Sequence, residues 1–196
     1  MRSSGSTPRR SRNGPLPLYL EVTGDDHPKA CTGRRLIHRG LARPVRSAGR
    51  VYPAPVVLDP YAPDPLSAAD GRAATRGGLL AVDCSWNRLA AHGGFSDETL
   101  RSTGPGLRRR LPILIAANPQ HYGRVAELNT VEALSAALYV LGRRAEAGAL
   151  LEGFRGGEGF LTINHERLEA YASARSADDV RRLEQSLYGP PARGRR

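Results

Sequence analysis

The sequence predicts an α/β fold built on a parallel sheet. Two short apolar runs, residues 79–82 and 113–117, contain no polar side chain, which is typical of strands buried on both faces of a parallel sheet. Polar side chains follow both runs directly, and segments with helix-capping residues lie between and after them. Ligands of open α/β sheets bind beyond the carboxyl ends of the strands, so both loops are expected to form one site at that edge.

The composition favours RNA as a partner. The chain carries a net charge of +10, and arginine supplies nearly all of its cations because Lys29 is the only lysine. Guanidinium groups suit paired hydrogen bonds to phosphate, so nucleic acid is the leading class of partner. A general preference for arginine over lysine explains the scarcity of lysine but not the excess of positive charge.

Several other classes of protein are disfavoured. No apolar run is long enough to cross a bilayer, and residues 1–14 lack the apolar core of a signal peptide. Two cysteines cannot form a disulfide framework or a four-ligand zinc site, which fits a reducing compartment. The acidic, His and Cys residues within 25–31 match no standard metal spacing. We therefore expect a cytoplasmic monomer without a metal site or a membrane partner.

The first half of the chain contains strand and helix signals in alternation. A first strand is predicted at residues 16–22, and an amphipathic helix around residues 34–41 follows it. The apolar residues 56–58 are a second candidate strand. A Ser-x-x-Asp capping box at 67–70 then begins a short helix, which the glycines 77–78 end just before the strand at residues 79–83.

The second half of the chain is predicted to be mainly helical. A surface excursion at residues 90–106 precedes the buried-type strand at 113–117. A helix then begins at Asn129, whose side chain caps the first turn while Glu132 reaches back to it. Further helices, separated by a Gly-rich turn near residue 156, are expected at residues 144–154, from residue 164 and after the Ser-x-x-Asp box at 176–179.

Six motifs occur in a fixed order along the chain. They are Lys29–Leu36, Val57–Pro60, Ala81–Trp86, Arg110–Pro112, Ala116–Gly123 and Leu128–Leu134. With these motifs the chain resembles the small-subunit rRNA aminocarboxypropyltransferases, late ribosome-biogenesis enzymes of eukaryotes and archaea. The resemblance covers about residues 16–171. Six motifs in order, with Asp-Cys-Ser-Trp and Ala-Ala-Asn-Pro among them, are far more specific than any one of them.

The resemblance implies an activity and a fold. Members of this family transfer the 3-amino-3-carboxypropyl group of S-adenosylmethionine to N3 of a hypermodified pseudouridine in small-subunit rRNA. Their fold is SPOUT-like, a parallel α/β sheet with a deep trefoil knot, which no hydrophobic pattern can indicate. The expected regions are a disordered basic tail (1–14), a small N-terminal lobe (15–55), a SPOUT-like cofactor-binding domain (56–175), and a final helix with a second basic tail (176–196).

Carried over residue by residue, the resemblance also implies a site for S-adenosylmethionine. Thr32 and the backbone of Val82 would hold the ribose hydroxyls, and the amino-acid end would lie by Asp83, Thr32 and Thr130. The sequence has Arg35, Asp59 and Asn129–Thr130 where family members often have Lys, Ser and Ser-Cys, and the last departure puts the contact at Thr130 in question. The implied adenine pocket consists of Leu58, Pro60, Trp86, Leu111, Leu128 and Ala133.

The roles of the charged and aromatic residues stay open at this point. Asp83 is a candidate catalytic residue, which would either hold the cofactor's ammonium or help to remove the N3 proton. Trp86 would stack near the adenine or the sulfonium. No metal is required, because the leaving group is neutral methylthioadenosine. The candidates for RNA binding, each alternatively a solvated surface charge, are Arg34, Arg35, Arg108, Arg109 and Arg110.

Two further functions are compatible with the sequence. A SPOUT-like RNA methyltransferase would share the cofactor and the class of substrate, but it would release S-adenosylhomocysteine instead of methylthioadenosine. A non-catalytic ribosome-assembly factor would have basic tails without a cofactor pocket, and the intact motif from Asp83 to Trp86 disfavours it.

Overall fold

The structure is a computed structural model that describes residues 14–23, 31–45, 51–86 and 106–189. Most of the two predicted basic tails, of residues 25–31 and of the predicted excursion at residues 90–106 lie outside these ranges. Within the described part of the chain, no helix is both long enough and apolar enough to cross a membrane.

A parallel sheet forms the centre of the described structure, as predicted. Its strands have the order β2-β1-β4-β3-β5, and every neighbouring pair is parallel. The strands are β1 (Leu18–Val22), β2 (Arg43–Pro44), β3 (Val56–Leu58), β4 (Leu79–Asp83) and β5 (Leu107–Arg109). Residues 15–55, which were expected to form a small N-terminal lobe, supply β1 and β2 to this same sheet. The expected boundary at residue 56 therefore does not coincide with a break in the sheet.

Strand β4 lies between β1 and β3 and is buried along nearly its whole length. Ala81 pairs with Leu20 on one side and with Leu58 on the other, and Leu79 and Leu80 are fully buried. Alternate residues of a strand face opposite sides of the sheet, so Leu79 enters the main core while Leu80 joins Val57 in a small second cluster. The uninterrupted apolar run reflects this burial on both faces.

The prediction of a strand at residues 113–117 is wrong. Ile115 makes only an isolated antiparallel bridge to Val125, and the edge strand is β5 instead. The reason is a side chain: the Asn164 amide donates to the backbone oxygen of Ile115 at 2.8 Å and accepts from its N–H at 2.9 Å. These bonds satisfy the backbone that a neighbouring strand would otherwise pair, while Leu114 and Ala116 are still fully buried.

Helices cover the sheet and form the second half of the described chain. The predicted capping boxes are present, with Ser67 and Asp70 before α2 and with Asn129 and Glu132 at the start of α3. The segment predicted as a Gly-rich turn instead contains a short helix, α5, held in the core by fully buried Phe160. The helices are α1 (Thr32–His38), α2 (Gly71–Gly77), α3 (Thr130–Val140), α4 (Arg144–Leu151), α5 (Gly157–Ile163), α6 (His165–Ser173) and α7 (Ala177–Tyr188).

Helix α3 is the central helix of the main core. It packs against α1, α4, α6 and strand β4, and nearly all of its residues are buried. Its buried positions include Val131, Leu134 and Leu138, as its hydrophobic face predicts. This packing fixes the first turn of α3 beside the carboxyl end of β4, where the predicted site lies.

Candidate active site

A cavity of about 580 Å³ opens at the carboxyl ends of β3 and β4. Its walls come from the start of α1, from the segments that follow β3, β4 and β5, and from the first turn of α3. The loop after Ala117 also lines it, although no strand precedes that loop. The two loops predicted to converge do so, and the position agrees with the general location of ligands in open α/β sheets.

One wall of the cavity is apolar and contains the only tryptophan of the chain. Leu58, Leu111, Leu128 and Ala133 line the cavity together with Trp86. The indole N–H of Trp86 donates to the backbone oxygen of Leu128 at 2.9 Å. This bond fixes the plane of the indole ring, so a flat aromatic surface borders the cavity before any ligand binds.

Asp83 connects three segments of the chain at the polar wall of the cavity. Its side chain is almost completely buried, and Thr130 Oγ1 donates to its Oδ1. Its Oδ2 accepts from Cys31 Sγ at 2.7 Å and from the backbone N–H of Gly33 at 3.2 Å. Asp83 therefore ties the end of β4 to the first turns of α1 and α3, and its carboxylate still lines the cavity.

Cys31 is the N-cap of α1 and a donor to Asp83. Its sulfur accepts from the backbone N–H of Arg34 at 3.4 Å, while the thiol proton points to the carboxylate. Burial, followed by the hydrogen bond to Asp83, raises the pKa of the Cys31 thiol to about 11. Cys31 is therefore a neutral hydrogen-bond donor at physiological pH and not a reactive thiolate.

Gly33 leaves the space that the Asp83 carboxylate occupies. A methyl group at Gly33 would lie 2.5 Å from Asp83 Oδ2 and 2.7 Å from its Cγ. No side chain fits at this position without displacing the carboxylate. The glycine that follows Thr32 in the motif therefore has a packing role at the site.

Glu132 organises a second wall from within the first turn of α3. Its Oε2 accepts from the backbone N–H of Asn129 at 2.9 Å, which completes the capping box. The same carboxylate accepts from the backbone N–H of Ala117 at 2.8 Å and from the Asn118 amide at 2.7 Å. Because Glu132 is only 1% exposed, these bonds hold the loop after Ala117 rigidly against the helix.

A further acidic residue, Glu127, lines the cavity next to a histidine. His121 Nδ1 lies 2.5 Å from Glu127 Oε2, and Arg124 donates to the same oxygen at 3.0 Å. The bonds from Arg124 and then from His121 hold the pKa of the Glu127 carboxyl below its usual range. These contacts close the loop from residue 118 to residue 127 on itself.

Comparison with known proteins gives the same assignment as the six motifs. A family model described as "Ribosome biogenesis protein, C-terminal" matches residues 56–188. The 16S rRNA aminocarboxypropyltransferase of Methanopyrus kandleri is 46% identical over 168 residues, which cover 83% of this chain and 93% of that protein. This chain belongs to the rRNA aminocarboxypropyltransferase family.

Further members of the family show the same extent of similarity. The 16S rRNA aminocarboxypropyltransferase of Halobacterium salinarum is 40% identical and covers 87% of this chain and 96% of its own length. The solved structure of the SAM-dependent rRNA:acp-transferase Tsr3 from Vulcanisaeta distributa is 32% identical, with a TM-score of 0.73 over 89% of this chain and 99% of that one. The resemblance and the parallel α/β architecture are thus confirmed.

All ten residues that the family resemblance implied for the cofactor line the one cavity. Residues from five separate segments of the sequence are brought together there, and their contacts with a cofactor stay a prediction. They are Thr32, Leu58, Pro60, Val82, Asp83, Trp86, Leu111, Leu128, Thr130 and Ala133.

The arginines predicted to bind RNA differ in whether their guanidinium groups are paired with carboxylates of the protein. In this aminocarboxypropyltransferase, Arg108 pairs with Asp59 at 2.5 Å and Arg109 with Asp70 at 3.0 Å. Arg110, which also lines the cavity, donates both terminal nitrogens to a carboxylate of α7, that of Glu184, at 2.7 Å.

The remaining two candidates, Arg34 and Arg35, are exposed on α1. The Arg35 guanidinium lies 4.6 Å from the ring centre of Phe154 and donates to the backbone oxygen of Gly153. RNA contact by any of the five arginines stays a prediction.

Sequence reasoning missed several residues of the site. Cys31 and Glu132 act through hydrogen bonds to Asp83 and to the loop after Ala117, and Glu127 lines the cavity. Asn118, Gln120 and His121 also line it, but they were predicted only as part of that loop and not as individual site residues. The position of Glu132 in a capping box was predicted, but its second role depends on a contact with a preceding segment. Among the described residues, no group of three or more potential ligands could hold a metal ion. The expected independence from metal stays a prediction.

Proposed function

We propose that this protein transfers the 3-amino-3-carboxypropyl group of S-adenosylmethionine to N3 of a pseudouridine or methylpseudouridine in small-subunit rRNA. The observation that carries this proposal is the cavity, whose lining combines apolar residues and Trp86 with the hydrogen-bonded pair of Asp83 and Thr130 at the start of α3. The names of the family members and the SAM-dependent solved relative support the same reaction.

The residues present fit the shape and chemistry of S-adenosylmethionine. The cavity of about 580 Å³ lies within the usual range for small-molecule sites. Leu58, Leu111 and Trp86 offer apolar and aromatic surface for an adenine ring. The polar wall offers Asp83 to an ammonium group, and the N-terminus of α3 offers a positive dipole end to a carboxylate.

The contacts of Asp83 support one of its two expected roles, that of holding the cofactor's ammonium. A carboxylate has about four acceptor positions, and donors from Cys31, Gly33 and Thr130 occupy three of them. The remaining position suits one hydrogen bond from the cofactor's ammonium. In this proposal Asp83 therefore holds the amino-acid end of the donor, and Cys31 and Thr130 are positioning residues that fix the carboxylate.

In this proposal, the orientation in which the protein binds S-adenosylmethionine determines which group is transferred. Bound S-adenosylmethionine would supply a sulfonium with three electrophilic carbons, and methylthioadenosine would be the by-product of aminocarboxypropyl transfer. Trp86 and Asp83 would hold the adenine end and the amino-acid end of the donor, and in the proposed orientation the aminocarboxypropyl chain, not the methyl group, would face the RNA. Orientation of this kind contributes about 7–11 kcal/mol to lowering a barrier.

The proposal extends to the topology and the setting of the protein. The SPOUT-like resemblance supports a trefoil knot around the cofactor, and the order of the parallel sheet is compatible with it. A net charge of +10 supports rRNA as the macromolecular partner. We further propose a cytoplasmic monomer that needs neither a metal nor a membrane.

Labelled donor distinguishes this proposal from methyl transfer and from mere assembly. Purified protein is incubated with small-subunit rRNA that carries the pseudouridine or methylpseudouridine but lacks the aminocarboxypropyl group, and with S-adenosylmethionine labelled either in the carboxyl or in the methyl group. Incorporation of carboxyl label with release of methylthioadenosine is expected, and exhaustive chelation should not reduce it. Incorporation of methyl label would establish a methyltransferase, and absence of both labels would exclude either transfer.

A further inference from the structure

An exposed aromatic side chain follows directly on a residue that lines the cavity. Residues 122–126 are exposed without interruption, and Tyr122 is 71% exposed. The residues on either side of this stretch, His121 and Glu127, line the cavity. Tyr122 therefore stands on the rim of the proposed cofactor site, where the RNA must approach.

The loop that carries Tyr122 is held in one conformation. The N–H of Gly123 donates to the backbone oxygen of Ala116 at 2.8 Å, and Arg124 donates to that of His121 at 2.9 Å. Gly123 has a φ of +79°, which a residue with a side chain rarely adopts. The bonds of the Asn118 amide to Glu132 fix the start of the same loop.

An exposed tyrosine on a rigid loop suits one kind of contact. A tyrosine combines a flat apolar ring with a polar hydroxyl, which suits it to contact surfaces that are partly wet, and Tyr122 lies beside the proposed cofactor site. RNA-binding proteins stack unpaired bases on such rings, and every base has a face that can stack. Because the loop is already ordered, little conformational entropy is lost when the ring is covered.

We propose that Tyr122 is a stacking platform for an unpaired nucleobase of the rRNA beside the target nucleotide. The inference rests on the proposed function, because the acceptor base must leave its stack to enter the cavity. The charge of the chain favours RNA over a protein partner: the net charge is +10, and exposed Arg124 follows Tyr122 by two positions. Stacking on Tyr122 would keep the displaced strand next to the cavity while the target base enters it.

The test compares substitutions that keep or remove the ring. Affinity for an end-labelled hairpin of small-subunit rRNA that contains the target loop is measured by fluorescence anisotropy for wild type, Tyr122→Ala and Tyr122→Phe. Tyr52→Ala is the matched control, since Tyr52 is 95% exposed but precedes the amino end of β3, away from the cavity. Calorimetry with S-adenosylmethionine shows whether each variant keeps its cofactor site.

The expected result is a specific loss of RNA affinity. Tyr122→Ala should weaken binding at least about fivefold and up to about 150-fold, as the loss of one base–aromatic stack does. Tyr122→Phe and Tyr52→Ala should bind like wild type. The slope of log affinity against log salt should not change, because the ring neutralises no phosphate. S-adenosylmethionine affinity should stay the same in all variants.

Two results would overturn the inference. One is an RNA affinity of Tyr122→Ala equal to that of the wild type, which would show that the ring does not contact the RNA. The other is a loss in Tyr122→Phe equal to that in Tyr122→Ala, which would mean that the hydroxyl and not the ring is recognised. Carboxyl-label transfer by the wild-type protein is measured in the same preparations, so a failure of the proposed function is seen separately.

Discussion

The cavity edge, formed by residues 83–86 and 128–133, and the arginine strip, residues 108–110, place similar chemistry in different settings. Both regions combine ionised side chains with dense hydrogen bonding. At the cavity edge the donors to Asp83 approach from the protein side, and the carboxylate still borders open space. In the arginine strip each guanidinium meets a buried carboxylate, those of Asp59, Asp70 and Glu184.

A basic motif in the sequence therefore shows where positive charge lies, but not whether that charge is free to bind RNA or is already paired with a carboxylate of the protein. The three carboxylates opposite the arginine strip are 3–7% exposed, so each would be an uncompensated buried charge without its arginine. Those arginines serve the fold whether or not they also contact RNA. The predictions below test whether the two regions divide ligand binding and stability in this way.

The largest effect is expected at the cavity edge, on the binding of S-adenosylmethionine. Trp86→Ala should weaken binding by about 3 kcal/mol or more, over a hundredfold, because an aromatic ring contributes a large apolar contact area. Isothermal titration calorimetry measures the affinity, and circular dichroism checks the fold. Trp86→Phe should keep most of the affinity. Normal binding by Trp86→Ala would mean that the cofactor lies elsewhere.

The next largest effect is expected in the arginine strip, on the free energy of unfolding. Arg110→Ala should destabilise the protein by about 2–3 kcal/mol in urea denaturation, because Glu184 loses two charged hydrogen bonds in a buried position. The matched control is Arg144→Ala, which removes an equally bidentate but exposed pair with Glu169. That control should lose much less stability than Arg110→Ala, because solvent screens the exposed pair.

Salt dependence of RNA binding sharpens the same comparison. If the arginine strip also contacts phosphates, replacing all three arginines by Gln lowers the slope of log affinity against log salt by about 0.7–0.9 for each lost contact. The double replacement of Arg34 and Arg35, which are exposed on α1, is the parallel measurement. A reduced slope only in the α1 variant would assign the strip to stability alone.

A smaller effect on the free energy of unfolding is expected when a methyl group is added next to Asp83. Gly33→Ala should lower the free energy of unfolding by about 1–2 kcal/mol, because its methyl group would lie 2.5 Å from the Asp83 carboxylate. The control is Gly148→Ala, in the middle of α4, where an added methyl group meets no atom within 4 Å. That change should stabilise the protein by about 0.5–1 kcal/mol. Equal effects of the two substitutions would contradict the packing role of Gly33.

Local patterns predicted the elements that position the site. The apolar run of β4 and the capping box of Asn129 and Glu132 are signals within a few residues, and both are present in the structure. The family resemblance supplied the ten cavity-lining positions, because six motifs in order identify residues that folding brings together from far apart in sequence. Periodicity alone would have supplied only the edge of the sheet.

Long-range pairing is what the sequence could not predict. Cys31 and Asp83 are 52 residues apart, and Arg110 and Glu184 are 74 apart, so neither bond leaves a local pattern. The false strand at 113–117 has the same origin, because Asn164 satisfies its backbone from 49 residues away. Helix α5 was missed because its glycines disfavour a helix locally, while burial of Phe160 stabilises it in the folded protein.

The smallest effect is expected in the pH dependence of stability, through Cys31. Folding raises the pKa of its thiol from 9.0 to about 11, so the folded protein holds this proton more tightly than the unfolded chain. The resulting stabilisation is complete below pH 9.0 and is lost as the pH rises to about 11. Cys31→Ser keeps a donor for Asp83 but does not titrate in this range. Between about pH 8 and about pH 10, the free energy of unfolding should therefore fall more steeply for wild type than for Cys31→Ser. Parallel slopes of the two proteins in urea denaturation would contradict the raised pKa of the Cys31 thiol, to which burial contributes most and the hydrogen bond to Asp83 next.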